Sequence, residues 1–173
     1  MSNTPASSPL DRSMSDSDTK ICVDLIWEDC IQSWKETLGL SNQQIAEAAI
    51  AAARHRGFRS GQLGVMITDD SSIHEINREH LGHDYPTDVI SFPYAEDGTH
   101  LEGELVVSVE TAHENAIEFG SDTATELLLY VIHGVLHIGG MDDHEDDDRQ
   151  AMRDSEQAVL SELGIALDEA PQA

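Results

Sequence analysis

Two histidines four residues apart, His133 and His137, open a run of metal-capable side chains that continues through Asp142, Asp143 and His144. On a helix that spacing sets both imidazoles on one face within a single turn. This is how a helix offers two nitrogens to one metal ion. Gly139 and Gly140 follow, and a glycine pair there ends the helix and lets the chain fold back. The fold-back brings Asp143 or His144 towards the same ion. Two helical ligands, a turn and a third ligand leave a fourth position open, as a catalytic zinc site requires.

A histidine pair alone is a common structural feature of helices, but three surroundings favour metal here. The carrier segment TELLLYVIHGVLHI is almost wholly apolar, so imidazoles within it need a partner. The glycine pair sits where a returning ligand needs it. Glu126, seven residues before His133 and on the same face, is placed to orient a ligand from behind. Asp142, or a spare acidic or imidazole group near the turn, is the candidate general base. In zinc peptidases of the H-E-x-x-H type the residue after the first histidine is the glutamate base; here it is Gly134, which argues against peptide hydrolysis.

Hydrophobic periodicity along the chain predicts the elements that must position this cluster. Strands are expected at Ile21 to Ile26, Gln62 to Thr68, Asp88 to Pro93 and Gly103 to Val109. Helices are expected from an N-cap at Ser41 to Gly57, from a cap at Asp70 or Ser71 through His80, and over Glu110 to Phe119. A further helix runs from a cap at Ser121-Asp122 to the glycine pair, and a last one from Asp146 to Leu163 with Met152, Val159 and Leu163 inward. The fold class is therefore α/β (α+β), a small mixed four-stranded sheet packed with about five helices. Residues 20–165 form one domain, between a Ser- and Asp-rich tail over 1–19 and a loose tail over 166–173.

The chain of 173 residues carries nine Lys and Arg against 34 Asp and Glu, a net charge of −25. Its 39% hydrophobic content is that of a folded domain rather than an acidic disordered chain. Such a charge opposes broad attraction to nucleic acid or anionic membrane. The one basic cluster is Arg54-His55-Arg56-Gly57-Phe58-Arg59. No segment is apolar and long enough to serve as a secretion signal or membrane span, which points to a cytoplasmic protein. Cys22 and Cys30 exclude a disulfide scaffold and are expected to be buried apolar positions near the first strand.

The segment HGVLHIGGMDDHEDDD resembles the H-G-x-L-H-x-x-G-x-D-H signature of the YbeY family of bacterial endoribonucleases. INREHLGHDYPTDVISFP is similar to that family's N-x-x-x-x-G-x-D-x-P-T-D-V-x-S-F, and GELVVSV followed by a helix is similar to its G-D-I-x-I-S strand. The resemblance spans about residues 20 to 165. It implies a small α/β sandwich holding one zinc ion. The implied activity is single-strand-specific cleavage of RNA rather than DNA, in maturation of the 3′ end of small-subunit rRNA and in ribosome quality control. Partners would be rRNA and the ribosome or small-subunit proteins, with no membrane involved. The family's third ligand is a histidine whose slot falls here on Asp143, with His144 one residue late. Many members carry an RNA-contacting arginine where this chain has Leu81; Arg78, His80 and His83 lie nearby, and Asp88 and Ser91 are implied to lie near the metal. Arg54, Arg56 and Arg59 are expected to face the RNA. The rival reading is a metal-stabilised ribosome-associated factor with little catalysis.

Overall fold

In a computed structural model, which describes residues 20–166, alternating apolar residues build a sheet covered on one face by helices. The order of elements is β1 (Ile21–Trp27), α1 (Gln32–Leu38), α2 (Asn42–His55), β2 (Ser60–Thr68), α3 (Asp70–Leu81), β3 (Val89–Asp97), β4 (His100–Ser108), α4 (Val109–Phe119), α5 (Thr123–Ile138) and α6 (Asp146–Glu162). A 3-10 turn over Asp29–Ile31 precedes α1. The sheet runs β1-β2-β4-β3, with β1, β2 and β4 parallel and β3 antiparallel to β4. The expected mixed four-stranded α/β class is what the chain adopts. The two expected tails, apart from Ala166, lie outside the described residues.

Burial follows the period of two in the strands. Leu63, Val65 and Ile67 of β2 and Leu101, Leu105 and Val107 of β4 face one way, into the main core. They meet Ile45, Ala48, Ala49 and Ala52 of α2 and Leu127, Val131, Val135 and Leu136 of α5. The alanine stripe of α2 lets that helix lie close to the sheet. Val106 and Ile90 face the other way and pack under Ile73 of α3 in a smaller cluster. The second face of the sheet is thus only partly covered.

The caps account for most helix starts. Ser41 and Gln44 form a reciprocal capping box on α2, and Asp122 Oδ1 accepts from Thr125 N at 3.0 Å on α5. On α3 the cap is Asp69, accepting from Ser72 N at 2.8 Å, rather than the expected Asp70 or Ser71. β3 and β4 extend further than their apolar cores predict, because Tyr94 to Glu102 form a hairpin around Gly98-Thr99, with Gly98 at φ 57°. A bulge between Pro93 and Ala95 interrupts the ladder. α1, a sixth helix, buries no residue and so leaves no apolar stripe to read.

Both cysteines are exposed rather than buried. Cys22 shares a strand face with Asp24 and Ile26, which no helix among the described residues covers. Cys30 sits in the 3-10 turn, where Ile31 takes the inward position. Among the described residues, no helix is long and apolar enough to cross a membrane.

The end of α5 is held hard against the sheet. A Cβ added to Gly103 would lie 2.7 Å from Ile138 Cγ2 and 2.8 Å from the Phe92 carbonyl oxygen. Gly103→Ala is therefore expected to destabilise the fold by about 1–3 kcal/mol, read as a lowered midpoint in thermal or denaturant unfolding.

Candidate metal centre

α5 presents its helical face of leucines, valines and isoleucines to the core and leaves His133 and His137 on the partly exposed side. Gly134, between them, faces β3 and β4. A Cβ there would stand 3.0 Å from Val89 Cγ2, 3.2 Å from Ser91 Oγ and 3.3 Å from Leu105 Cδ1. Ser91 Oγ donates to Gly134 O at 3.1 Å. A glutamate at this position has no room, which explains the missing peptidase base in packing terms. Gly140, at φ 84°, reverses the chain so that the turn after α5 returns over the histidines.

Each ring has one nitrogen engaged. His133 Nδ1 lies 2.6 Å from Glu156 Oε1 on α6, and His137 Nδ1 lies 2.9 Å from the Met141 carbonyl oxygen. Both partners are acceptors, so both Nδ1 atoms carry the proton and both Nε2 atoms present lone pairs. Those Nε2 atoms are 2.9 Å apart. Asp143 Oδ2 lies 3.6 Å from His133 Nε2 and 3.5 Å from His137 Nε2. With both rings neutral, three acceptor atoms thus converge. Ligands held about 2.0–2.1 Å from one tetrahedral ion stand roughly 3.3 Å from each other, and the observed edges bracket that value. His133, His137 and Asp143 could hold a metal ion.

Electrostatics at the site favours a cation. Burial, the largest single influence, pushes the His133 imidazolium pKa down. The hydrogen bond and charge of Glu156, with the charges of Asp88 and Asp143, outweigh it and leave the pKa raised. Next along the same face, burial holds the Tyr130 phenol well above its ordinary pKa, opposed by the hydrogen bond from Asn115 Nδ2 at 2.5 Å.

The other expected residues fall as follows. His144 is 84% exposed and turned to Asp142, its Nε2 3.4 Å from Asp142 Oδ1. The same Asp142 oxygen accepts from Asp143 N at 2.8 Å. Glu126 is 6% exposed and accepts from Ser121 Oγ at 2.6 Å, near the start of α5. The carboxylate behind His133 is Glu156 instead, because α6 crosses α5 nearer its C-terminal half. A signal for Glu156 was present, since it follows Met152 by four residues and precedes Val159 by three on the inward stripe of α6. Arg149 also escaped the sequence reading. It donates to His144 O at 2.6 Å and to Asp146, pinning the turn that carries Asp143.

Arg56 Nε donates to Gly139 O at 3.3 Å, so this arginine braces the turn that leaves His137. Arg54 and Arg59 line a shallow depression with Gly57 and Phe58. Asp88 Oδ1 accepts from Val89 N and from Thr87 Oγ1. Leu81 is exposed, Arg78 leans to Glu75 at 3.9 Å, and His80 stands edge-on to Phe92.

Glu156→Gln keeps the size of the side chain while removing its charge. It is expected to weaken binding of zinc or cobalt(II) by about 10–100-fold, measured by competition with a chromophoric chelator, whereas Glu126→Gln leaves that affinity unchanged.

Comparison with known proteins agrees with the geometry. The family model described as Endoribonuclease YbeY matches residues 29–164. The chain is 49% identical to an Endoribonuclease YbeY of Rhodopirellula baltica, covering 85% of this chain and 77% of that one. It is 37% identical to another from Desulfitobacterium hafniense, covering 83% and 98%. The solution structure of TM1509 from Thermotoga maritima superposes with a TM-score of 0.52 at 26% identity, over 83% of this chain and 92% of that chain. A histidine-aspartate centre on an α/β scaffold with these relatives leads to one assignment: the chain belongs to the Endoribonuclease YbeY family of hydrolytic nucleases.

Proposed function

We propose that the chain is an endoribonuclease that cleaves single-stranded RNA with one zinc ion held by His133, His137 and Asp143. The observation that carries this reading is the convergence of three acceptor atoms whose histidine partners are already committed at Nδ1. Two imidazoles and one carboxylate suit zinc and leave a position free for water or a phosphate oxygen. When bound, the ion supplies Lewis acidity towards a phosphoryl oxygen and lowers the pKa of coordinated water towards neutrality.

The chain's own groups do the remaining work. Glu156 and the Met141 carbonyl fix both ring orientations. Arg149 and Arg56 hold the turn from its two sides. Asp142 is the accessible carboxylate next to the centre and is assigned the role of proton acceptor. Arg54 and Arg59, with what remains exposed of Arg56, supply positive charge for phosphates on a chain whose net charge is −25. That charge opposes unspecific nucleic-acid binding. It favours an RNA presented by protein contacts, in keeping with maturation of the small-subunit rRNA 3′ end and ribosome quality control in the cytoplasm.

His137→Ala is the decisive variant. Bound zinc, measured by atomic emission, is expected to be lost, and cleavage of a labelled single-stranded RNA to fall at least about 100-fold. Asp143→Ala is expected to follow it, while His144→Ala retains metal and most activity. Full cleavage by metal-free His137→Ala overturns the reading. Zinc-loaded protein that binds ribosomes yet leaves RNA intact supports the ribosome-associated factor with little catalysis instead.

A further inference from the structure

Residues 81–86, joining α3 to β3, are exposed throughout. Yet the segment presents Leu81 at 49% exposure and Tyr85 at 54%. The His83 ring stacks on Tyr85, with centroids 5.4 Å apart and planes 11° from parallel.

This segment is tied down at its backbone. The side chain of buried Asn77 donates to Tyr85 O at 2.9 Å, and Asn77 O accepts from the backbone N–H groups of Gly82 and His83. His74 holds Asp84 with a 2.8 Å contact. What stays free is the pair of rings, already ordered and turned to solvent.

Its place in the fold matters. Four residues after Tyr85, Val89 packs on Gly134, between the two metal-capable histidines. Four residues of extended chain reach at most about 14 Å, so the Tyr85 backbone lies no further than that from Val89, within the span of a short oligonucleotide.

The chemistry selects one part of a nucleic acid. Leu81 has no donor for a phosphate. Asp84 and Asp88 repel one, and the nearby Arg78 leans to Glu75. Aromatic faces, by contrast, take any nucleobase, because every base has a π-face and the ordered rings lose little freedom. Within a duplex both faces of an internal base are covered.

We propose that His83 and Tyr85 form a stacking platform for an unpaired base of the RNA strand, beside the metal centre. The inference rests on the RNA-cleaving reading and adds a subsite to it.

The test compares zinc-loaded wild type, Tyr85→Phe and Tyr85→Ala for binding of a fluorescein-labelled oligouridine. A matched oligomer with abasic sites in place of its bases is the control. Tyr85→Ala is expected to bind oligouridine about tenfold more weakly, with Tyr85→Phe at the wild-type level. The preference of wild type for the base-bearing oligomer disappears in Tyr85→Ala, while zinc content and unfolding midpoint stay unchanged. Equal oligouridine binding by wild type and Tyr85→Ala overturns the platform. So does a loss that affects both oligomers alike. Wild-type protein that neither binds nor cuts RNA overturns the functional reading, and the platform with it.

Discussion

Hydrogen bonds at Nδ1 of His133 and His137 dictate what the rest of the molecule must supply. With Glu156 and the Met141 carbonyl as acceptors, the rings are held as tautomers whose lone pairs oppose each other across 2.9 Å. A neighbouring carboxylate makes the arrangement more repulsive, and a bound metal ion, or a proton on His133, relieves it. The acceptors come from the turn after α5 and from the middle of α6. The centre therefore exists only when those pieces dock on α5, through Met152, Val159 and Leu160 in the core. Ligand binding and tertiary packing are one equilibrium at this end of the protein.

The same helix meets two demands that conflict on most helices. Its inner faces must pack to core density while its outer face carries polar ligands. Small residues at the contact points reconcile them. Gly134 lets α5 settle on Val89, Ser91 and Leu105, and Gly103 opens β4 for Ile138. The glycine that removes a peptidase base is thus also the one that brings the histidines to their place against the sheet.

Much of this was readable before the structure. The two histidines, the glycine break, the Ser41 and Asp122 caps and the period-two strands are local features with local causes, and each stands where its residues imply. What escaped depends on partners distant in sequence. Glu126 and His133 share a helix face, yet Glu126 is taken by Ser121 and the carboxylate on His133 arrives from 23 residues downstream. Arg56 belongs to the one basic cluster, but its Nε reaches Gly139 across 83 positions. Cys22 reads as buried from its apolar neighbours, and only the layer arrangement reveals that its side of β1 is bare. The choice of Asp143 came from the family's register; the geometry that favours it over His144 lies in the Gly140 reversal.

β3 is an outer strand, and its free side would ordinarily invite another chain to add itself to the sheet. Pro93 removes a backbone donor from the strand, and the bulge at Pro93 and Ala95 breaks the regular spacing a docking strand needs. Glu96 and Asp97 follow on the same exposed stretch and would set like charges against a second copy of this acidic chain. The irregularity in the hairpin is therefore a guard against edge-to-edge aggregation, placed on the strand that also walls the metal centre.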